Sequence, residues 1–244
     1  MNQQLFSVSK SGKLTRVSMQ FEWLSRMGFV NNSLVAAIPD TDGNGIRFTV
    51  CNENITSYSD LLCKTEKQGG KFVTVCQSQK DTHVYSCIHL ILGQKVNVER
   101  WAAGTPLVAI YEYGTIHVRK LPNKKYYTVK RAYDNRHDIN KTLLILQNSL
   151  LSDAGFLPHS LATAAAEHGS ITITLWNGGL ENYSELVKHV RKNGLKLVQI
   201  GEKNNTPYIG ITGGFVTGAD FNIGDIFSVD YSYGSLQLQK LYWS

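Results

Sequence analysis

Along "GTPLVAIYEYGTIHVRKL" (104–121) apolar and polar residues alternate on both sides of a Tyr-x-Tyr-Gly turn. That period of two, broken at a glycine, predicts a β-hairpin. "GDIFSVDYSYGSLQLQKL" (224–241) repeats the pattern. "SYSDLLCKTEKQGGKFVTV" (57–75) and "NYSELVKHVRKNGLKLVQI" (182–200) have a different rhythm, a helix followed by a strand. Ser57 and Asn182 are suitable N-caps, with Asp60 and Glu185 three residues on as in a capping box. Gly69 and Gly194 supply the left-handed residue that stops each helix.

The chain repeats itself. With an offset of 125–127 residues, "EWLSRMGF" (22–29) falls on "SLLSDAGF" (149–156), and Leu24, Ser25, Gly28 and Phe29 meet Leu151, Ser152, Gly155 and Phe156. Each copy divides again into an early and a late part with one grammar: strand, short helical turn, glycine corner, strand, tight turn, strand. The expected fold is mainly β with short helices: two tandem swapped-hairpin-like β-barrels, each of two modules of about 35 residues plus an inserted helix and strand. The first barrel spans 1–121 (modules 13–51 and 84–121, bridging helix 58–68), and the second spans 141–244 (modules 141–176 and 207–241, bridging helix 183–193). Residues 122–140 read as a basic linker. Gly28, Gly104, Gly155 and Gly224 recur at one corner, where a positive φ suits glycine. Phe29 and Phe156 are expected core plugs, and Trp23, Trp101 and Phe221 core residues. "GITGGFVTG" (210–218) reads as a tight bend or bulge.

The phrase Trp23-Leu24 with Gly28-Phe29, and the corner of Gly213, Phe215, Phe221, Gly224 and Asp225, resemble the SymE and AbrB/SpoVT superfamily of swapped-hairpin β-barrels. The resemblance covers roughly 140 of the 244 residues in four short pieces. It implies two modules intertwined into one barrel, here within one chain. It also implies nucleic-acid chemistry: AbrB-like members are DNA-binding regulators, often antitoxins, and SymE-like members are toxins acting on RNA or the nucleoid.

Charge adds a direction. Residues 1–121 carry 13 Lys/Arg against 9 Asp/Glu, residues 122–140 carry 5 against 2, and residues 141–244 carry 7 against 8. Basic excess in the first half and middle points to an anionic partner there. No apolar run reaches the roughly 20 residues that span a bilayer, and "MNQQLFSVSKSGK" lacks a secretory core, so a cytoplasmic protein is expected, with no membrane partner. Cys51, Cys63, Cys76 and Cys87 form no CxxC pair, so they read as packing residues with no metal. No cofactor motif is present, and there is no P-loop, GxSxG or HExxH.

Candidate nucleic-acid contacts are Lys13, Arg16, Arg26, Arg47 and Arg100 in the first half, then Arg119, Lys120, Lys124, Lys125, Tyr126, Tyr127, Lys130, Arg131 and Arg136 along "IHVRKLPNKKYYTVKRAYDNRH". Cations neutralise phosphates and tyrosines stack on bases. In the second copy Arg26, Arg47 and Arg100 fall on Asp153, Thr172 and Asp220, which makes the first barrel the expected binder and leaves the second for a protein partner. His117 and Arg119, two apart on a strand, share a face and are the candidates for nuclease chemistry, whereas Gln237 and Gln239 replace them in the second copy. His89 reads as a satisfied structural histidine. The leading expectation is a non-enzymatic DNA-binding protein, a transcriptional regulator or mobile-element accessory protein. The alternatives are a SymE-like toxin acting on RNA, endonuclease-like, and an interaction platform without nucleic acid. Four modules in one chain permit a monomer with internal pseudo-dimers or a homodimer.

Overall fold

The computed structural model describes residues 2–51, 58–80, 83–92, 101–134, 139–177 and 183–242. The chain divides into two compact units, 1–123 and 124–244. Unit 1 opens with β1 (Asn2–Ser7), β2 (Ser9–Ser11), β3 (Leu14–Gln20), a one-turn helix α1 (Trp23–Arg26), and the hairpin β4 (Leu34–Pro39) and β5 (Gly45–Val50). Helix α2 (Tyr58–Lys67) follows. The strand order then recurs as β6 (Lys71–Thr74), β7 (Cys76–Lys80), β8 (His83–Leu92), and the hairpin β9 (Pro106–Glu112) and β10 (Thr115–Lys120).

The two halves exchange strands. β3 pairs with β8 and β5 with β10, both antiparallel. β1 adds to β9 and β6 adds to β4, each half giving its first strand to the other half's hairpin. The result is a six-stranded sheet, β1-β9-β10-β5-β4-β6, and a four-stranded sheet, β2-β3-β8-β7.

Unit 2 repeats this plan. It runs β11 (Lys125–Thr128), β12 (Lys130–Asp134), β13 (Ile139–Gln147), α3 (Leu150–Asp153), β14 (Leu161–Glu167), β15 (Ser170–Leu175) and α4 (Tyr183–Lys192). Then come β16 (Lys196–Gln199), β17 (Gly201–Lys203), β18 (Thr206–Thr212), α5 (Gly214–Gly218), β19 (Ile226–Ser232) and β20 (Ser235–Lys240). Its sheets are β11-β19-β20-β15-β14-β16 and β12-β13-β18-β17.

The mainly-β class matches the sequence reading, but among the described residues neither unit closes into a barrel. The reason lies at four corners, where the chain turns from one sheet into the other across one buried aliphatic residue: Val8, Val75, Val129 and Ile200. Each accepts a backbone hydrogen bond from a residue in left-handed or corner geometry: Gly104 to Val8, Asn32 to Val75, Gly224 to Val129 and His159 to Ile200, at 2.8–3.0 Å. The corner joins the layers through the chain, so strand pairing need not run around the edge.

Two further expectations are corrected. Residues 122–140 are not a linker: β11 pairs with β19 and β12 with β13, so the segment supplies strands to unit 2. Its cations therefore belong to that unit, which carries 12 Lys/Arg against 10 Asp/Glu, and the charge asymmetry is smaller than expected. The stretch 210–218 is not a bulge but the end of β18 and the helical corner α5, after Gly213 at φ 80°. Ser57 and Asn182 lie outside the described residues. No helix among the described residues is long and apolar enough to cross a membrane.

Each unit has its own core. In unit 1 Val17, Met19, Ile88 and Leu90 from the smaller sheet meet Val35, Ile46, Phe48, Ile116 and Val118 from the larger, with Leu24 and Phe29 plugging the corner. Phe29 N donates to Leu24 O at 3.0 Å, Phe156 N to Leu151 O at 2.8 Å and Phe221 N to Val216 O at 3.2 Å, so three corners share one closure. Gly28, Gly104, Gly155 and Gly224 have φ of 84–93°, but they stand at two places and not at one corner: Gly28 N and Gly155 N close a helical turn on Ser25 O and Ser152 O, as Asp220 N does on Thr217 O, whereas Gly104 and Gly224 hold the place of Asn32 and His159. Trp101 and Phe221 are buried. Trp23 is half-buried and stacks on Phe21 (5.1 Å) and Tyr111 (3.6 Å).

Candidate nucleic-acid interface

The turn "DTDGN" (40–44) between β4 and β5 is held tightly. Asp40 N donates to Gly45 O at 2.8 Å and Gly43 N to Asp40 O at 3.0 Å, with Gly43 at φ 68°. Asp42 Oδ1 accepts Asn44 N at 2.9 Å. That bond, with a smaller contribution from the Arg119 charge, holds the Asp42 carboxyl below the usual carboxylate range. Lys120 N donates to Asn44 O at 2.8 Å, which brings the end of β10 against the turn.

On β10, Ile116 and Val118 are buried, so His117 and Arg119 occupy the other face. The β5–β10 register sets His117 opposite Arg47 and Arg119 opposite Gly45. Alternation thus places Arg47, His117 and Arg119 together, beside an open cleft of about 600 Å³ that Asp40, Asp42 and Gln68 also line. His117 Nε2 lies 2.7 Å from Asp40 Oδ2, with side chains 30% and 17% exposed. The ring nitrogen donates and the carboxylate accepts, so in the neutral ring Nδ1 is the basic nitrogen. Gly45 makes this contact possible: a Cβ there would sit 2.0 Å from Asp40 Oδ2 and 2.9 Å from His117 Nε2. Neither the Arg47 nor the Arg119 guanidinium has an ion pair or hydrogen bond among the described residues.

The other candidates do not join this cleft. Gly114 N, just before β10, donates to Met27 O, so Arg26 lies at the end of β10 away from the Asn44 turn. Lys13 is exposed in the β2–β3 turn, and Arg16 on β3 donates from Nε to Ser9 Oγ at 3.4 Å, both on the smaller sheet. In unit 2, Lys124 is paired with Asp230 at 2.8 Å. Lys125, Lys130 and Arg131 are exposed and Tyr126 is half-buried. Tyr127 is a packing residue and not a base-stacking one: it stacks on Phe227 at 5.6 Å and its hydroxyl lies 2.7 Å from that of Tyr231. Burial, with the Tyr231 bond, raises its phenol well above the ordinary value. Arg100 and Arg136 lie outside the described residues. Sequence reasoning found three members of the cleft. It missed Asp40 and Asp42, for which the "PDTDGNG" turn was the available signal, and Gln68 just after α2, which no sequence signal marks.

In unit 2 Gln237 and Gln239 hold the outward positions of His117 and Arg119, and the neighbouring Lys240, next along the face of Leu236 and Leu238, is paired internally. Gln239 Nε2 donates to Gly169 O at 3.2 Å. Lys240, with a side chain 10% exposed, pairs with Asp220 at 3.0 Å and Asp225 at 2.9 Å. Burial opposes the Lys240 charge, but the bonds to Asp225 and Asp220 outweigh it and raise its pKa. The Lys240 bond chiefly lowers that of Asp220. A depressed folded-state carboxylate pKa contributes stability above the ordinary value, and this is lost as pH falls through the folded one. The melting temperature of unit 2 is therefore expected to fall below about pH 4, and Lys240→Met should flatten that dependence when both proteins are melted across pH 2–6.

No family model matches the chain, and no curated protein matches it. Among solved structures, the Caulobacter crescentus pol III beta aligns at 11% identity over 98% of this chain and 69% of its own, with a TM-score of 0.12. A DNA polymerase sliding clamp from Caulobacter crescentus aligns at 13% identity over 98% and 68%, also at 0.12. At those scores neither alignment carries an argument about fold or function.

Proposed function

We propose that this protein is a non-enzymatic nucleic-acid-binding protein that contacts the phosphate backbone of duplex DNA through unit 1. The observation that carries the reading is the grouping of Arg47, His117 and Arg119 on one sheet face, with both guanidiniums free of ion pairs and hydrogen bonds among the described residues. Nearby acidic groups are engaged: Asp40 by His117 and Asp42 by the Asn44 amide. Contacts of this kind position a duplex and confer little sequence choice, which suits a regulator or a mobile-element accessory protein. Fluorescence anisotropy with a random duplex tests it. Two phosphate contacts, from Arg47 and Arg119, give a slope of log affinity on log salt near −1.8, about a 12-fold loss between 50 and 200 mM. No binding at low salt would remove the proposal.

The Asp40–His117 contact favours a second reading, RNA cleavage. A carboxylate that fixes a histidine's tautomer and leaves its other nitrogen free is the arrangement of a general base, and Arg119, two residues along the same face, is the cation that would stabilise a phosphorane-like charge. Expression should then halt growth and degrade RNA, and His117→Ala should relieve both. Undisturbed growth and intact RNA at high expression would exclude this activity.

A further inference from the structure

The smaller sheet of unit 1 holds a second cluster, unrelated to the cleft. The β7–β8 register sets Cys76 directly opposite Cys87. His89 is two residues further along β8 and so on the same face as Cys87, while Ile88 and Leu90 between and beyond them enter the core. Cys76 Sγ and Cys87 Sγ are 3.0 Å apart, and one ligand atom from each of Cys76, Cys87 and His89 lies within 4.8 Å of the other two. β3 contributes Ser18, opposite His89 in the register, with its hydroxyl 2.8 Å from His89 Nδ1.

We propose that Cys76, Cys87 and His89 form a binding site for a thiophilic divalent cation, zinc by its coordination chemistry, with the fourth position open to solvent. Zinc takes sulfur at about 2.3 Å and imidazole nitrogen at about 2.0–2.1 Å in tetrahedral array, so ligand atoms about 3.5–3.8 Å apart surround it. The sulfurs need to part by less than about 1 Å to accept it. Two soft thiolates and an imidazole select zinc over magnesium or calcium. Ser18 orients the ring from behind, the usual role of a partner to a metal-bound histidine. Each thiol releases its proton as its sulfur bonds the ion, so one zinc replaces two protons. Burial, reinforced by Cys76, pushes the Cys87 thiol up to about 12. Burial first, and then the Arg16 charge, hold the His89 pKa below its usual value.

Unit 2 shows that the fold does not demand these residues. The equivalent cross-strand pair is Gly201 opposite Tyr208, with Gly210 two residues beyond. There Tyr208 lies over Gly201, its ring 2.4 Å from where a Cβ would be. One copy fills the place with a ring and the other gathers three metal-ligating side chains there.

The test uses the whole chain, reduced and titrated with Co2+. The expected result is one equivalent bound, with a thiolate-to-cobalt charge-transfer band and tetrahedral visible bands, both lost on adding Zn2+. Cys76→Ser and His89→Ala should each weaken binding at least tenfold while the far-ultraviolet circular dichroism stays unchanged. Zinc should also shield the half-buried Cys76 from alkylation and leave the exposed Cys63 reactive. A reduced protein without the charge-transfer band would overturn the proposal. So would bands that survive in both Cys76→Ser and Cys87→Ser, or shielding confined to Cys63.

Discussion

Arg47→Ala combined with Arg119→Ala is expected to weaken duplex DNA binding about 20- to 50-fold near 100 mM salt, and to reduce the salt slope by about 2. Both residues sit on outward positions of paired strands, Arg47 across from His117 and Arg119 two residues along from it. Their removal takes no buried group and breaks no hydrogen bond described here, so folding should be unaffected. Lys124→Ala is the contrast. That side chain already pairs with Asp230 at 2.8 Å, and its loss should change affinity less than twofold. Anisotropy titrations at several salt concentrations separate the two results. Equal affinities for the double variant and the parent protein would move the binding surface elsewhere.

Phe29→Ala is expected to destabilise unit 1 by about 3–5 kcal/mol, the usual cost of emptying a phenylalanine site in a packed core. Phe29 is fully buried. It fills the corner where α1 hands the chain to β4, against a core drawn from both sheets. The sheets meet at corners and not through a closed ring of strand pairing, so little else holds the layers together there. Unit 2 has its own core, plugged by Phe156, and should keep its transition. Calorimetry should therefore show one transition shifted down by many degrees and one unchanged. A single transition moving as a whole would mean that the units do not unfold separately.

The hairpins were legible because their signal is local. Alternation around Tyr113-Gly114 and Tyr233-Gly234 marks two strands and the turn between them, and Gly28 and Gly155 need only their own backbone to be read. β1, β2, β11 and β12 were not legible. "NQQLFS" and "KYYT" are short and lack a clean period of two. They become strands because the opposite half offers β9 and β19 as edges, a tertiary fact that no window contains. The apparent linker was misread for that reason: Lys125, Lys130 and Arg131 look like a solvated charge run, yet their backbones complete sheets.

The cleft was half legible. His117 and Arg119 share a face by alternation, which sequence spacing states directly. Asp40 is 77 residues away and reaches His117 only through the β5–β10 pairing and the room left by Gly45. Cys76 and Cys87 read as packing residues and His89 as a structural histidine because their spacing follows no metal motif. An antiparallel hairpin brings residues 11 apart face to face, and that depends on register and not on sequence distance.

The most direct test of the proposed function observes the two guanidiniums themselves. In 15N-labelled protein titrated with a short random duplex, the Nε–Hε signals of Arg47 and Arg119 are predicted to shift in a saturable way, while that of Arg191 on α4 stays in place. Unmoved Arg47 and Arg119 signals during saturable binding, with Arg191 or Arg131 shifting in their stead, would contradict the assignment of the DNA-binding face to unit 1.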